Sequence, residues 1–160
     1  MPNSKTARSG ITKKSHTIIV IATAAVAVLA AFLALDTKGN VTSEELSAYA
    51  WQMRSFSPDG RDKVDVSSHR FFLSINATQI GGKICNGFVG NVQYVNPSTI
   101  KGQQVFFTDM GCGGQGSLIM SIEKALQDGL GNGMAMSENG NTLTLRDMVT
   151  NATFTYGKPQ

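Results

Sequence analysis

Ile84-Cys85-Asn86-Gly87-Phe88-Val89-Gly90 opens the stretch whose reading decides the fold, and Phe106-Phe107-Thr108-Asp109-Met110-Gly111-Cys112 closes it. The two segments hold the only two cysteines of the 160-residue chain. Between them Phe88–Val95 and Gln104–Thr108 alternate as half-buried strands do, and Asn96-Pro97-Ser98 separates them as a turn. The expectation is a β unit closed by a Cys85–Cys112 disulfide, facing the outside of a cell and carrying no catalytic loop.

The outward placement rests on the N-terminal part. Residues 17–35, from Thr17 to Leu35, contain no charge. As a helix rising about 1.5 Å per residue they span roughly 28 Å, close to the ~30 Å hydrocarbon core of a bilayer. Lys5, Arg8, Lys13 and Lys14 precede the run and Asp36 follows it directly. The positive-inside rule then keeps residues 1–16 in the cytoplasm and sends the rest across. A cleaved signal peptide wants a shorter apolar region and small residues at −3 and −1 of the cut. Cutting after Ala34 puts Phe32 at −3, and cutting after Leu35 puts a leucine at −1. The expectation is therefore an uncleaved, single-pass transmembrane anchor in the cell membrane, with the C-terminal domain periplasmic or extracellular.

Charge adds an exclusion. The formal net charge is +3, but four of the fourteen basic residues belong to the cytoplasmic flank. Ten basic residues remain against eleven acidic ones, or −1, for everything after it. A basic face able to grip nucleic acid is not indicated.

Past the membrane, residues 36–49 read as a tether and a short helix, with Thr42-Ser43-Glu44-Glu45 as its capping box. The domain proper spans 50–157. Trp51 alternates with Met53 on a first strand and is expected as a core anchor. Phe71, Leu73 and Ile75 share one face of the next. Thr78–Cys85 follows, and Gly81-Gly82 suggests a bulge or sharp coil there. Leu118, Ile119, Ile122 and Leu126 make an apolar stripe on a helix over 117–128, with Glu123, Lys124 and Gln127 facing outward and Gly129 as its stop. Thr142–Arg146 and Ala152–Tyr156 read as two final strands. Short strands at this spacing predict a mainly β (α+β) fold, an antiparallel sheet that curls or closes with one packed helix, preceded by the transmembrane helix.

Four patterns invite chemistry. Gly111-Cys112-Gly113-Gly114-Gln115-Gly116 matches G-x-G-x-x-G, with Glu138 near the ribose-binding offset. It arrives too late for a doubly wound sheet, and the strands before it alternate instead of running continuously apolar. No nucleotide or other cofactor is therefore expected. Asp59, Asp62 and Asp65 recur every third residue, yet the spacing is not that of an EF-hand loop, so a solvated turn is expected. His69 is the only histidine past the anchor, and no spacing ties it to Cys85 or Cys112 as base to nucleophile. Two cysteines and one histidine also fall short of a zinc set. In an exported domain an even cysteine count favours the disulfide. Closing a loop of about 28 residues stabilises the fold by roughly 3.5 kcal/mol in the chain-entropy model.

The order of motifs resembles the META domain, the family of the bacterial heat-shock protein HslJ. The resemblance rests on Trp51 in the opening strand, on Gly82-Lys83-Ile84-Cys85-Asn86-Gly87-Phe88-Val89-Gly90, and on an aromatic strand ending at Tyr94. It continues with Thr108-Asp109-Met110-Gly111-Cys112, a helix ending in Leu126, and Leu143-Thr144-Leu145. Trp51, Asn86, Gly90, Thr108 and Met110 are the family-motif positions besides the two cysteines. One departure is that an apolar residue stands near the place where the family has an acidic one early in the helix. The resemblance implies a small antiparallel β-barrel-like fold with one helix and an envelope location. It also implies an association with stress tolerance or antibiotic resistance, and no reaction.

Three functional classes follow. The first is a non-enzymatic, membrane-anchored envelope protein with an unknown protein partner. The second is an exported inhibitor of a hydrolase, a protease or lysozyme, acting through the Gly113–Gly116 loop. The third is a hydrolase built on His69 and nearby carboxylates. Asn40, Asn76 and Asn151 stand in Asn-x-Thr contexts and matter only where the source glycosylates.

Overall fold

The computed structural model describes residues 46–110 and 116–159. The cytoplasmic segment, the expected anchor of 17–35, the capping box of 42–45 and the loop 111–115 with Cys112 lie outside the described residues. Among the described residues the order is β1 (Trp51–Ser57), β2 (Val64–Asp65), β3 (Phe72–Ile75), β4 (Gln79–Lys83), β5 (Gly87–Asn96), β6 (Thr99–Phe107), α1 (Gly116–Asn132), β7 (Met134–Asn139), β8 (Thr142–Asp147) and β9 (Thr153–Gly157).

Consecutive strands from β3 to β9 are antiparallel neighbours, and β1 pairs with both β3 and β9. Eight strands thus close into a barrel, which removes the open sheet edges that otherwise invite aggregation. β2 lies outside the ring and pairs with the second half of β1, at Ser55 and Phe56. The β6–β7 seam is short, holding only Thr99↔Ala135 and Ile100↔Met134. The chain leaves the sheet after Phe107 at the far end of β6 and returns at Met134 by way of α1, which packs against β6 and β8.

Period-2 patterning fills the interior. Trp51 is fully buried opposite Leu73, and its indole Nε1 donates to the Leu46 carbonyl at 3.2 Å. Phe71, Leu73 and Ile75 point inward as expected, and Leu143, Leu145, Phe154 and Tyr156 line the interior from β8 and β9, on the other side of β1. Burial holds the Tyr156 hydroxyl pKa above the ordinary tyrosine value. Among the described residues no helix is long and apolar enough to cross a membrane.

Several expectations need correction. The bulge is not at Gly81-Gly82, whose registers with β3 and β5 run without a shift. One register shift lies instead where Gly90 of β5 faces both Gln104 and Val105 of β6, between the pairs Val89↔Phe106 and Asn91↔Gln103, and two more fall at Val95 of β5 and at Arg54 of β1. Gln104 takes a left-handed φ of 51° to make the first, and a Cβ on Gly90 would lie 2.6 Å from the Val105 Cα. Gly82 is needed for another reason, because the Phe88 ring and the Phe72 carbonyl close over it. Strand β6 starts at Thr99, five residues earlier than expected.

The helix passes Gly129 and ends at Asn132. Gly133, at φ 110°, is the left-handed cap, and its N–H donates to the Gly129 carbonyl at 2.8 Å. Gly129 instead gives room to Met134 and Asp147, which a Cβ would meet at 3.1 and 3.3 Å. The buried stripe therefore shifts toward the C-terminus, to Ile122, Leu126 and Leu130, while Leu118 in the first turn is 36% exposed. Three strands follow the helix, since β7 was not anticipated.

Candidate functional site

Asn86 is a polar side chain only 7% exposed, in the turn between β4 and β5. Its amide Nδ2 donates to Glu123 Oε1 and its backbone N–H to Glu123 Oε2, both at 2.7 Å. Its Oδ1 accepts from the Met110 N–H at 2.7 Å and from the Thr108 hydroxyl at 3.3 Å. The amide orientation follows from the partners, because a backbone N–H can only donate. Thr108 completes the ring of bonds. Its Oγ1 accepts from the Gly87 N–H at 3.1 Å, and its own N–H donates to the Gly87 carbonyl at 2.9 Å.

One asparagine thus holds three pieces together: the β4–β5 turn, the segment leaving β6, and the third turn of α1. An amide is suited to this because it offers donors and an acceptor at once; a carboxylate or an amine offers only one kind. Burying it unpaired would cost about 1–3 kcal/mol. Every group of the cluster named above is paired within the fold.

The structure gathers Asn86, Thr108 and the Met110 backbone into one cluster. Cys85 joins them, its Sγ lying 3.8 Å from the Met110 carbonyl oxygen, two residues short of Cys112 in sequence. No free cysteine is present among the described residues. Cys112 lies outside them. Gly90 belongs to the neighbouring bulge, and Trp51 sits in the core with no bond to the cluster among the described residues.

Glu123 corrects the sequence reading twice. It does not face outward, and it brings an acidic group to the motif from the third turn of α1. Helical spacing carried the signal. Residue 123 lies four after Ile119 and three before Leu126, on the stripe that faces the barrel, so a charge there calls for a partner.

A second polar centre was not foreseen at all. Asp147, at the end of β8, is fully buried. Its carboxylate accepts from the Thr150 hydroxyl at 2.6 Å, the Val149 N–H at 2.9 Å and the Asn132 amide, 3.3 Å from each oxygen. Burial pushes its pKa up, but the donated bonds outweigh burial and hold it below the usual aspartate value.

The remaining candidates resolve simply. Asp59 accepts from the Arg61 and Asp62 N–H groups and pairs with Arg61 Nε at 3.0 Å, while Asp65 accepts from the Ser67 N–H. Among the described residues no group of three or more His, Cys, Asp or Glu is gathered for a metal. The His69 ring stacks on Phe71 at 4.9 Å. Of the Gly111–Gly116 pattern, only Gly116 is described, as the first residue of α1.

The family model of the META domain matches residues 44–158. A comparison with curated proteins finds no match. Two solved structures share the fold, both determined by NMR. One is 22% identical over 74% of this chain and 95% of its own, with a TM-score of 0.59. The other, a protein from Burkholderia xenovorans, is 15% identical over 74% of this chain and 86% of its own, with a TM-score of 0.56. At these identities the likeness is one of fold alone.

Proposed function

Because this chain belongs to the META domain family, we propose that it is an anchored envelope protein whose barrel binds a partner protein and performs no catalysis. The observation that carries this reading is the use made of the motif. Asn86, Thr108 and Glu123 engage one another and the backbone, leaving none of them aimed at a substrate as nucleophile or base. A motif of this kind fixes a surface. A role in stress tolerance or antibiotic resistance would then pass through whatever that surface binds.

The Cys85–Cys112 bridge belongs to the same proposal and is supported by export and by the approach of Cys85 to Met110. Thiol titration of denatured, unreduced protein is expected to find no free thiol; two free thiols would remove the bridge.

The functional test is crosslinking in native membranes after fractionation. The expected result is recovery with the membrane and one discrete envelope partner. Recovery in the soluble cytoplasmic fraction, or turnover in a hydrolase substrate screen, would refute the reading. Retention of a protease or lysozyme on the immobilised chain would favour the inhibitor in its place.

A further inference from the structure

We propose that the cleft between α1 and the end of β1 binds a small molecule with an apolar body and one cationic end. The assignment goes beyond the envelope reading and does not depend on it. The walls are Phe56 and Pro58 from β1 and the turn after it, Ala125 from α1, and Ala152 just before β9. The cleft measures about 250 Å³, just under the roughly 300–1,000 Å³ of sites for drug-sized ligands. That size suits a single ring or a short branched alkyl group and excludes a lipid chain. It is preformed, because Phe56 is 2% exposed with its ring centroid 5.2 Å from that of Phe154, and Ala152 is buried.

Charge selects the other end of the ligand. Three charged side chains line the cleft, Lys124, Asp128 and Asp147, which leaves a net −1 with Asp147 ionised. Asp147 has its oxygens occupied by Thr150, Val149 and Asn132, so it acts through its field and not by contact. Asp128 is the contact. It is half exposed, and its partner Lys124, one turn away on the same helix, is 75% exposed. Such a pair is weak in water. A cation whose apolar body is seated against Pro58 and Ala125 can share the Asp128 carboxylate with Lys124 or displace it. A carboxylate ligand turning to Lys124 would instead face both aspartates.

The test uses the full chain, labelled with ¹⁵N, and three probes of one shape: 2-phenylethylammonium, 2-phenylethanol and 3-phenylpropionate. Amide shifts are expected to cluster at residues 56–60, 121–128 and 150–152. The ammonium probe is expected to bind at least about fivefold more tightly than the alcohol, with the carboxylate weakest, as one charge contact near a surface implies. Asp128→Asn should bring the ammonium probe down to the level of the alcohol. Ala125→Phe should abolish binding of all three, and the Asp128 variant remains decisive if that protein fails to fold. Shifts scattered elsewhere, a carboxylate probe that binds as well as the ammonium, or an unchanged affinity in Asp128→Asn would each overturn the assignment.

Discussion

Near the middle of α1 the carboxylate belongs to the helix: Glu123 accepts from the amide and backbone N–H of Asn86. At its C-terminal end the carboxylate belongs to the barrel: Asp147 accepts from Asn132 of the helix and from the turn before β9. Both centres tie α1 to loops of the sheet, with charge and donors exchanged. Asn86 can reach in two directions because an amide both donates and accepts. Asp147 only accepts, so every neighbour must be a donor, and all of them lie within one turn and one helix end. The first centre joins segments far apart in sequence, and the second locks a local turn against the helix terminus.

Removing each centre should separate these roles. Asp147→Ala deletes a fully buried carboxylate and strands the donors of Val149, Thr150 and Asn132. The expected loss is about 3–4 kcal/mol in denaturant unfolding. Asn86→Ala strands the Met110 N–H and half of the Glu123 pairing, with an expected loss of about 2–3 kcal/mol. A double-mutant cycle with Glu123→Ala should return a coupling of about 1–2 kcal/mol, whereas the cycle of Asn86→Ala with Asp147→Ala should be additive within about 0.5 kcal/mol. Coupling between the two distant centres would show that they form one cooperative unit.

The comparison also shows what the sequence could reveal. Asn86 was legible because it stands beside a cysteine in a motif, and Trp51 and the 71/73/75 alternation were legible because burial writes itself in periods. Asp147 was not. In Leu145-Arg146-Asp147-Met148 it reads as any turn aspartate, and its burial comes from Asn132, fifteen residues back across the helix end. The same long-range packing hid the helix terminus. Gly129 looks like a stop because glycine usually ends helices, but here the missing Cβ admits Met134 and Asp147. Met134–Asn139 escaped notice as a strand because alanine, glutamate and asparagine are weak strand formers, and only pairing with β8 along its whole length explains it.

Acid should distinguish the centres more gently than deletion. Asp147 has a folded pKa below its unfolded value, so its contribution is fully present above the unfolded value near pH 3.9 and is lost as pH falls through the folded one. Unfolding midpoints measured from pH 6 down to about pH 2.5 should fall less steeply in Asp147→Asn than in the unaltered chain. Asn86→Ala leaves Asp147 in place and should retain that part of the acid slope.

The smallest effect is expected between the two centres, at the Lys124–Asp128 pair on the exposed flank of α1. Its geometry is good, with Nζ 2.9 and 3.2 Å from the two oxygens. Water reaches both side chains, however, and holding two flexible groups together offsets most of the attraction. Lys124→Ala should therefore change stability by no more than about 0.5 kcal/mol, and the change should shrink further in high salt. A loss above about 1 kcal/mol would mean that the Asp128 charge, once unpaired, is felt at Asp147 across the cleft they both line. In that event the helix flank would belong to the Asp147 centre, and the contrast between a local lock and a long-range clamp would have to be redrawn.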